Sequence, residues 1–151
     1  MAQQITFDDT VSYMLAKVTT AFRSELERQL GPVGLHGGQV FVLLELWRED
    51  GLRQVDIASR LDVAAPTVNK MLKGLFEINL ITIAKADDDR RARRIFLTEK
   101  GYAIREDVER QWIELEGECL KPLTAAERLI FYDLLSKIRA SYTGRESAED
   151  D

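Results

Sequence analysis

A mainly α chain (α+β) is predicted: a winged helix-turn-helix lobe with long flanking helices that form a dimerisation region. Three observations predict it. Between Gln54 and Leu75, two short segments with helical apolar spacing are joined by a three-residue turn. Two β-branched and aliphatic runs follow at once, separated by a charged tip. Outside this stretch, three long segments keep apolar residues at helical intervals.

Phe7 to Leu30 is expected to be one amphipathic helix, with Val11, Met14, Leu15, Val18, Phe22, Leu26 and Leu30 on one face. Thr6 and Asp9 fit its cap, and Gly31-Pro32 ends it. A second helix is expected from about Gly37 to Arg48, with Val40, Leu43, Leu44 and Trp47 on one face, broken by Asp50-Gly51. Leu52 is a candidate for a short extra strand. The next helix, Gln54 to Leu61, offers Val55, Ile57, Ala58 and Leu61 as apolar contacts, and Asp62-Val63-Ala64 makes the turn. The helix after it starts near Ala65, with Pro66 in its first turn, where a missing N–H costs nothing. Val68, Met71, Leu72 and Leu75 recur at the spacing of one buried face. Thr67, Asn69, Lys70 and Lys73 are left to face outward, as side chains able to read base edges or hold phosphates, and Pro66 is counted with them in the candidate DNA-binding set.

Leu80 to Ala84 and Ile95 to Leu97 are the expected strands of a hairpin. Asp87, Asp88, Asp89, Arg90 and Arg91 form its polar tip. Arg90, Arg91, Arg93 and Arg94 concentrate positive charge on this small protrusion, and Arg90 or Arg91 suits a narrow minor groove. Arg94, alternating with Ile95, meets either a phosphate or one of the tip aspartates. Thr98 caps a helix of roughly 20 residues carrying Ile104, Val108, Trp112, Leu115 and Cys119, stopped by Lys121-Pro122. Thr124 and Glu127 form a capping box for a last helix with Ile130, Phe131, Leu134, Leu135, Ile138 and Tyr142. Residues 144–151 are expected to be a disordered acidic tail.

At 151 residues the chain is most simply one domain. Within it, 1–34 and 99–143 are expected to be dimerisation helices and 35–98 the DNA-binding lobe. One cysteine excludes an internal disulfide framework and fits a reducing, cytoplasmic setting. The N-terminal MAQQITFDD lacks the basic and apolar regions of a signal peptide. The longest plainly apolar run, Val40 to Leu44, is far short of the ~20 residues of a membrane span. The net charge is −5. Its distribution is uneven: residues 53–98 hold nine Lys/Arg against six Asp/Glu, and the remainder twelve against twenty. A basic lobe on an acidic body suits double-stranded DNA as partner.

Taken together, Leu61-Asp62-Val63, Thr67-Val68, Leu80, Asp89-Arg90-Arg91-Ala92 and Leu97-Thr98-Glu99-Lys100-Gly101 resemble the MarR/SlyA family of transcriptional regulators, over nearly the whole chain. The resemblance implies a homodimer of winged-helix subunits that usually represses transcription and often responds to a small aromatic or amphipathic ligand. One departure stands out. Ala64 and Ala65 replace the Ser or Thr common near the start of the family's recognition helix, so base reading falls on Thr67, Asn69 and Lys70. The long flanking helices are expected to pack on a second copy of the chain, and the two-fold implies an inverted-repeat site.

For an effector, Tyr13, Lys17, Trp47 and Trp112 are the candidate lining residues, with Lys17 facing a carboxylate or phenolate; the competing assignment for this set is plain core packing. His36 is the sole histidine and has no companion ligand for a metal. Cys119, on an apolar stripe, is expected to be a small buried hydrophobe. No catalytic constellation, cofactor or metal site is expected. The competing function is a winged-helix protein-interaction module without DNA binding.

Overall fold

The computed structural model describes residues 6–86 and 89–146, with the backbone alone at 86, 89–92 and 143–146. The chain divides into two units, Met1–Ile113 and Glu114–Asp151. The first contains α1 (Val11–Leu30), α2 (Gln39–Arg48), β1 (Leu52–Arg53), α3 (Gln54–Leu61), α4 (Ala65–Glu77), β2 (Ile81–Ala86), β3 (Asp89–Leu97) and α5 (Glu99–Ala103). Helix α6 (Arg105–Cys119) begins in it, and α7 (Ala125–Glu146) lies in the second unit.

Helix α1 starts later than the sequence suggests. Phe7–Asp9 forms a separate 3-10 turn, and the cap is Thr10, whose hydroxyl accepts from the Tyr13 N–H at 3.2 Å. Thr6 and Asp9 bond to each other instead. Helix α2 begins at Gln39 rather than Gly37, because Gly37 and Gly38 both take positive φ (56° and 81°) outside the α-helical region.

The helix-turn-helix matches the apolar spacing with one exception. Ile57, Val68, Leu72 and Leu75 are buried, and the turn closes through Asp62 in the left-handed region, φ 52°. Val55, expected in the core, is 62% exposed. The face of α3 that packs is centred on Ile57, and Val55 lies two residues, or about 200°, around the helix from it.

Leu52 does enter the sheet. The strand order is β1-β3-β2, antiparallel, with Leu52 opposite Ile95 and Arg53 opposite Arg94. β2 and β3 pair from Ile81↔Leu97 to Lys85↔Arg93, with an irregularity between Lys85 and Ala86. The hairpin is longer than its apolar runs, because charged residues continue both strands. Asp87 and Asp88 of the expected tip lie outside the described residues.

The helix expected as one piece after the wing is two. Thr98 caps α5, accepting from the Gly101 N–H at 3.0 Å. Its hydroxyl also donates to the Asn79 carbonyl at 2.6 Å, and Lys100 Nζ donates to the Ile78 carbonyl at 2.9 Å. The C-terminal carbonyls of the α4 region are thus held by the start of α5. Ile104 then breaks the helix, with ψ at −8°. The Gly101 carbonyl, which an unbroken helix would offer to the residue four on, accepts the Trp47 indole N–H at 3.0 Å. Cys119 is exposed rather than buried; it is the last residue of α6, one turn beyond Leu115, the last buried position of that helix. Among the described residues, no helix is long and apolar enough to cross a membrane.

Candidate nucleic-acid interface

Helix α4 sorts its side chains cleanly. Val68, Leu72 and Leu75 are at most 5% exposed. Ala65, Pro66, Thr67, Asn69, Lys70 and Lys73 are exposed. No side-chain oxygen caps the helix at Ala64, and Pro66 fills the first turn. Lys73 meets Glu77 at 4.0 Å, an exposed pair that contributes little. Asn69 and Lys70 carry no side-chain hydrogen bond or ion pair among the described residues, so both remain available to an outside partner.

The helices beneath are fixed by their own charges. Arg53 and Asp56 share two side-chain bonds, at 2.8 and 2.9 Å, and the Asp56 carboxylate also accepts the Arg53 N–H. The Arg53 guanidinium holds the Asp56 carboxyl below its ordinary range. Arg60 pairs with Glu49 and lies 3.7 Å from Glu45. Arg53 and Arg60 are therefore scaffold cations.

On the wing, Arg93 and Arg94 separate. Arg93 is exposed and sits directly opposite exposed Lys85. Two like charges facing across a strand pair are unfavourable unless an anion lies between or beside them. Lys85 is the residue that motif reading overlooked. Its signal was its place one residue past the apolar run, where the register sets it against an arginine. Arg94 points to the other face, and its Nη1 donates to the Gly51 carbonyl at 2.9 Å. The side chains of Arg90 and Arg91 lie outside the described residues; their backbone belongs to β3.

The four candidate effector-lining residues do not converge on one described cavity. Tyr13 and Lys17 pair on α1, with Nζ 5.9 Å from the ring centroid. Trp112 packs edge-on against Phe22 and Phe41, at 5.9 and 5.8 Å. Trp47 is spent on Gly101, with Arg105 6.0 Å above its ring. A cavity of about 440 Å³ opens elsewhere, between α1 (Arg23, Glu27, Leu30), the loop at His36 and α4 (Thr67, Met71). There Glu27 holds His36 Nδ1 at 3.0 Å and the Gly37 N–H at 2.8 Å.

Comparison with known proteins fits this geometry. The HTH-type transcriptional regulator TtmR of Methylorubrum extorquens is 30% identical over 112 residues, covering 74% of this chain and 56% of that protein. An uncharacterised HTH-type transcriptional regulator of Staphylococcus aureus is 31% identical over 74 residues, covering 49% and 51%. The chain thus spans about half the length of the curated relatives it matches. Among solved structures, the regulator described as regulated in its DNA binding by 6-hydroxynicotinic acid, BpsR of Bordetella bronchiseptica, superposes with a TM-score of 0.83 at 21% identity, covering 91% of this chain and 98% of that one. At that identity the likeness concerns the fold. Residues 36–92, the winged helix-turn-helix segment, match the MarR family.

Proposed function

We propose that the protein is a sequence-specific, double-stranded-DNA-binding transcriptional regulator. In this reading it is a cytoplasmic repressor, acting as a homodimer on an inverted repeat and released by a small aromatic or amphipathic ligand. The observation that carries the DNA part is the exposed face of α4, on which Asn69 and Lys70 have no side-chain partner among the described residues, beside a cationic hairpin. Thr67 and Asn69 suit base edges, Lys70 and Lys73 suit phosphates, and exposed Pro66 offers an apolar contact in the first turn. Arg90, Arg91 and Arg93, with Lys85, carry the wing's charge to the neighbouring groove.

Two further observations support the dimer, one in each unit. On α1, Val11, Met14 and Val18 are 79, 57 and 44% exposed. On α7, Leu129, Ile130, Leu134, Ile138 and Tyr142 are all at least 39% exposed. A monomer rarely leaves such continuous apolar stripes in water. For the effector, regulation of BpsR by 6-hydroxynicotinic acid supports a small amphipathic ligand. Tyr13 and Lys17, or the cavity at His36, would receive it. A ligand that prefers the DNA-incompetent arrangement shifts the population and frees the operator.

The test is salt dependence. Lys70→Ala and Arg91→Ala should each lower the slope of log affinity against log salt by about one unit. Unchanged slopes in both, measured by fluorescence anisotropy on duplex DNA, would favour the protein-interaction module instead.

A further inference from the structure

We propose that Asp50 is a positioning residue for the wing: its carboxylate ties the root of β3 and the start of α5 to the turn before β1, and so aims the wing arginines. This rests on the DNA-binding reading above.

The local sequence explains why a side chain is needed there. β1 is only two residues long. Its register with β3 would put Gly51 opposite Phe96 and Asp50 opposite Leu97 if the ladder continued. It stops because Gly51 adopts φ 74°, turning the chain out of the extended region. The ring of Phe96 occupies the space at Gly51, where an added Cβ would lie 2.7 Å from Phe96 Cε1. The Leu97 N–H therefore faces this edge without a strand backbone to meet. Asp50 Oδ1 accepts it at 2.9 Å, so the side chain supplies the bond that the ladder does not.

The second carboxylate oxygen reaches further. Asp50 Oδ2 accepts the Tyr102 hydroxyl at 2.7 Å, and the adjacent Gly51 carbonyl accepts Arg94 Nη1 at 2.9 Å. Three donors, two from the wing strand and one from the helix after it, converge on two consecutive residues. The hydrogen bond to the carboxylate pushes the Tyr102 hydroxyl above its ordinary pKa, as expected of a donor held by an anion. None of these three bonds involves a residue of α4, and two of the three donors belong to the wing strand itself.

Leverage gives the clamp its consequence. Arg90 and Arg91 lie six or seven residues from Leu97 along β3. At about 3.3 Å per residue the arm is about 20 Å, so a tilt of about 5° at the root moves the tip by about 2 Å. That displacement breaks a hydrogen bond to a phosphate or a base edge.

A double-mutant cycle tests this, with the full chain and a duplex it selects from a random library. Asp50→Ala should weaken binding about tenfold and Tyr102→Phe about threefold. Once Arg90→Ala and Arg91→Ala are in place, each further loss should fall below about twofold, because the wing has nothing left to aim. Tyr102→Phe removes one hydroxyl from an exposed ring, and serves if Asp50→Ala does not fold. Equal losses in both backgrounds, or none in either, overturn the clamp while leaving DNA binding intact. Wild-type affinity in the wing-arginine variant overturns both the clamp and the wing's part in binding.

Discussion

Gly101 is where three parts of the first unit meet at atomic range. An added Cβ would lie 2.2 Å from the Leu80 carbonyl oxygen and 3.2 Å from a Leu97 methyl. Its carbonyl is held by Trp47, and its N–H by Thr98. Backbone cannot yield as a flexible side-chain end can, so Gly101→Ala should cost on the order of 1–3 kcal/mol. A clear drop in melting temperature checks this, and a variant as stable as wild type would show that α5 can shift. The motif Leu97-Thr98-Glu99-Lys100-Gly101 was legible as a family signature. Its physical role was not, because the contacts that define it come from Ile78, Asn79, Leu80 and Trp47, some 20 or 50 residues away in sequence.

Elements were legible where apolar spacing and caps agreed. The box at Thr124 is the clearest case. Thr124 N–H and hydroxyl donate to Glu127 at 2.7 and 2.8 Å, and the Glu127 N–H returns a bond to the hydroxyl at 3.3 Å. These donors hold the Glu127 carboxyl below its ordinary range, the backbone bond first among them. The folded state therefore binds this proton less readily than the unfolded chain. The box contributes fully at neutral pH, and its contribution fades as pH falls through the carboxylate range. Thr124→Ala should cost about 1 kcal/mol at pH 7. The stability gap between wild type and Glu127→Gln, followed by thermal melts, should narrow as the medium is acidified; a gap that widens would contradict the assignment. The break at Ile104 was not legible, because nothing in the local pattern opposes a continuous helix. It arises where a distant tryptophan takes a carbonyl. The length of β2 and β3 was underestimated for a related reason: pairing, not apolarity, carries the charged half of the hairpin. Lys85 was overlooked with it, since only the register sets it opposite Arg93.

At the scale of the whole molecule, the exposed stripes of α1 and α7 are what support the proposed dimer. Both were visible in sequence as apolar spacing, but a single sequence cannot say whether such a face meets its own chain or a copy. Leu134 and Ile138, 49 and 39% exposed, are the positions to charge. The Leu134→Glu, Ile138→Glu variant should sediment as a monomer at micromolar concentration and retain its helical circular dichroism; an undisturbed dimer would place the interface elsewhere. Charge is uneven too: residues 53–98 carry a cationic excess and the remainder an acidic one, which supports the proposed meeting of this segment with a duplex.

In the proposed function this chain reads duplex DNA through α4 and the wing, and does so in pairs. Selection of bound duplexes from a random library by the purified full chain, near physiological salt, tests it most directly. The expected result is enrichment of an inverted repeat with half-sites about one helical turn apart. Enrichment of a lone half-site would contradict the pairing, and the absence of any enriched sequence would contradict the reading of DNA itself.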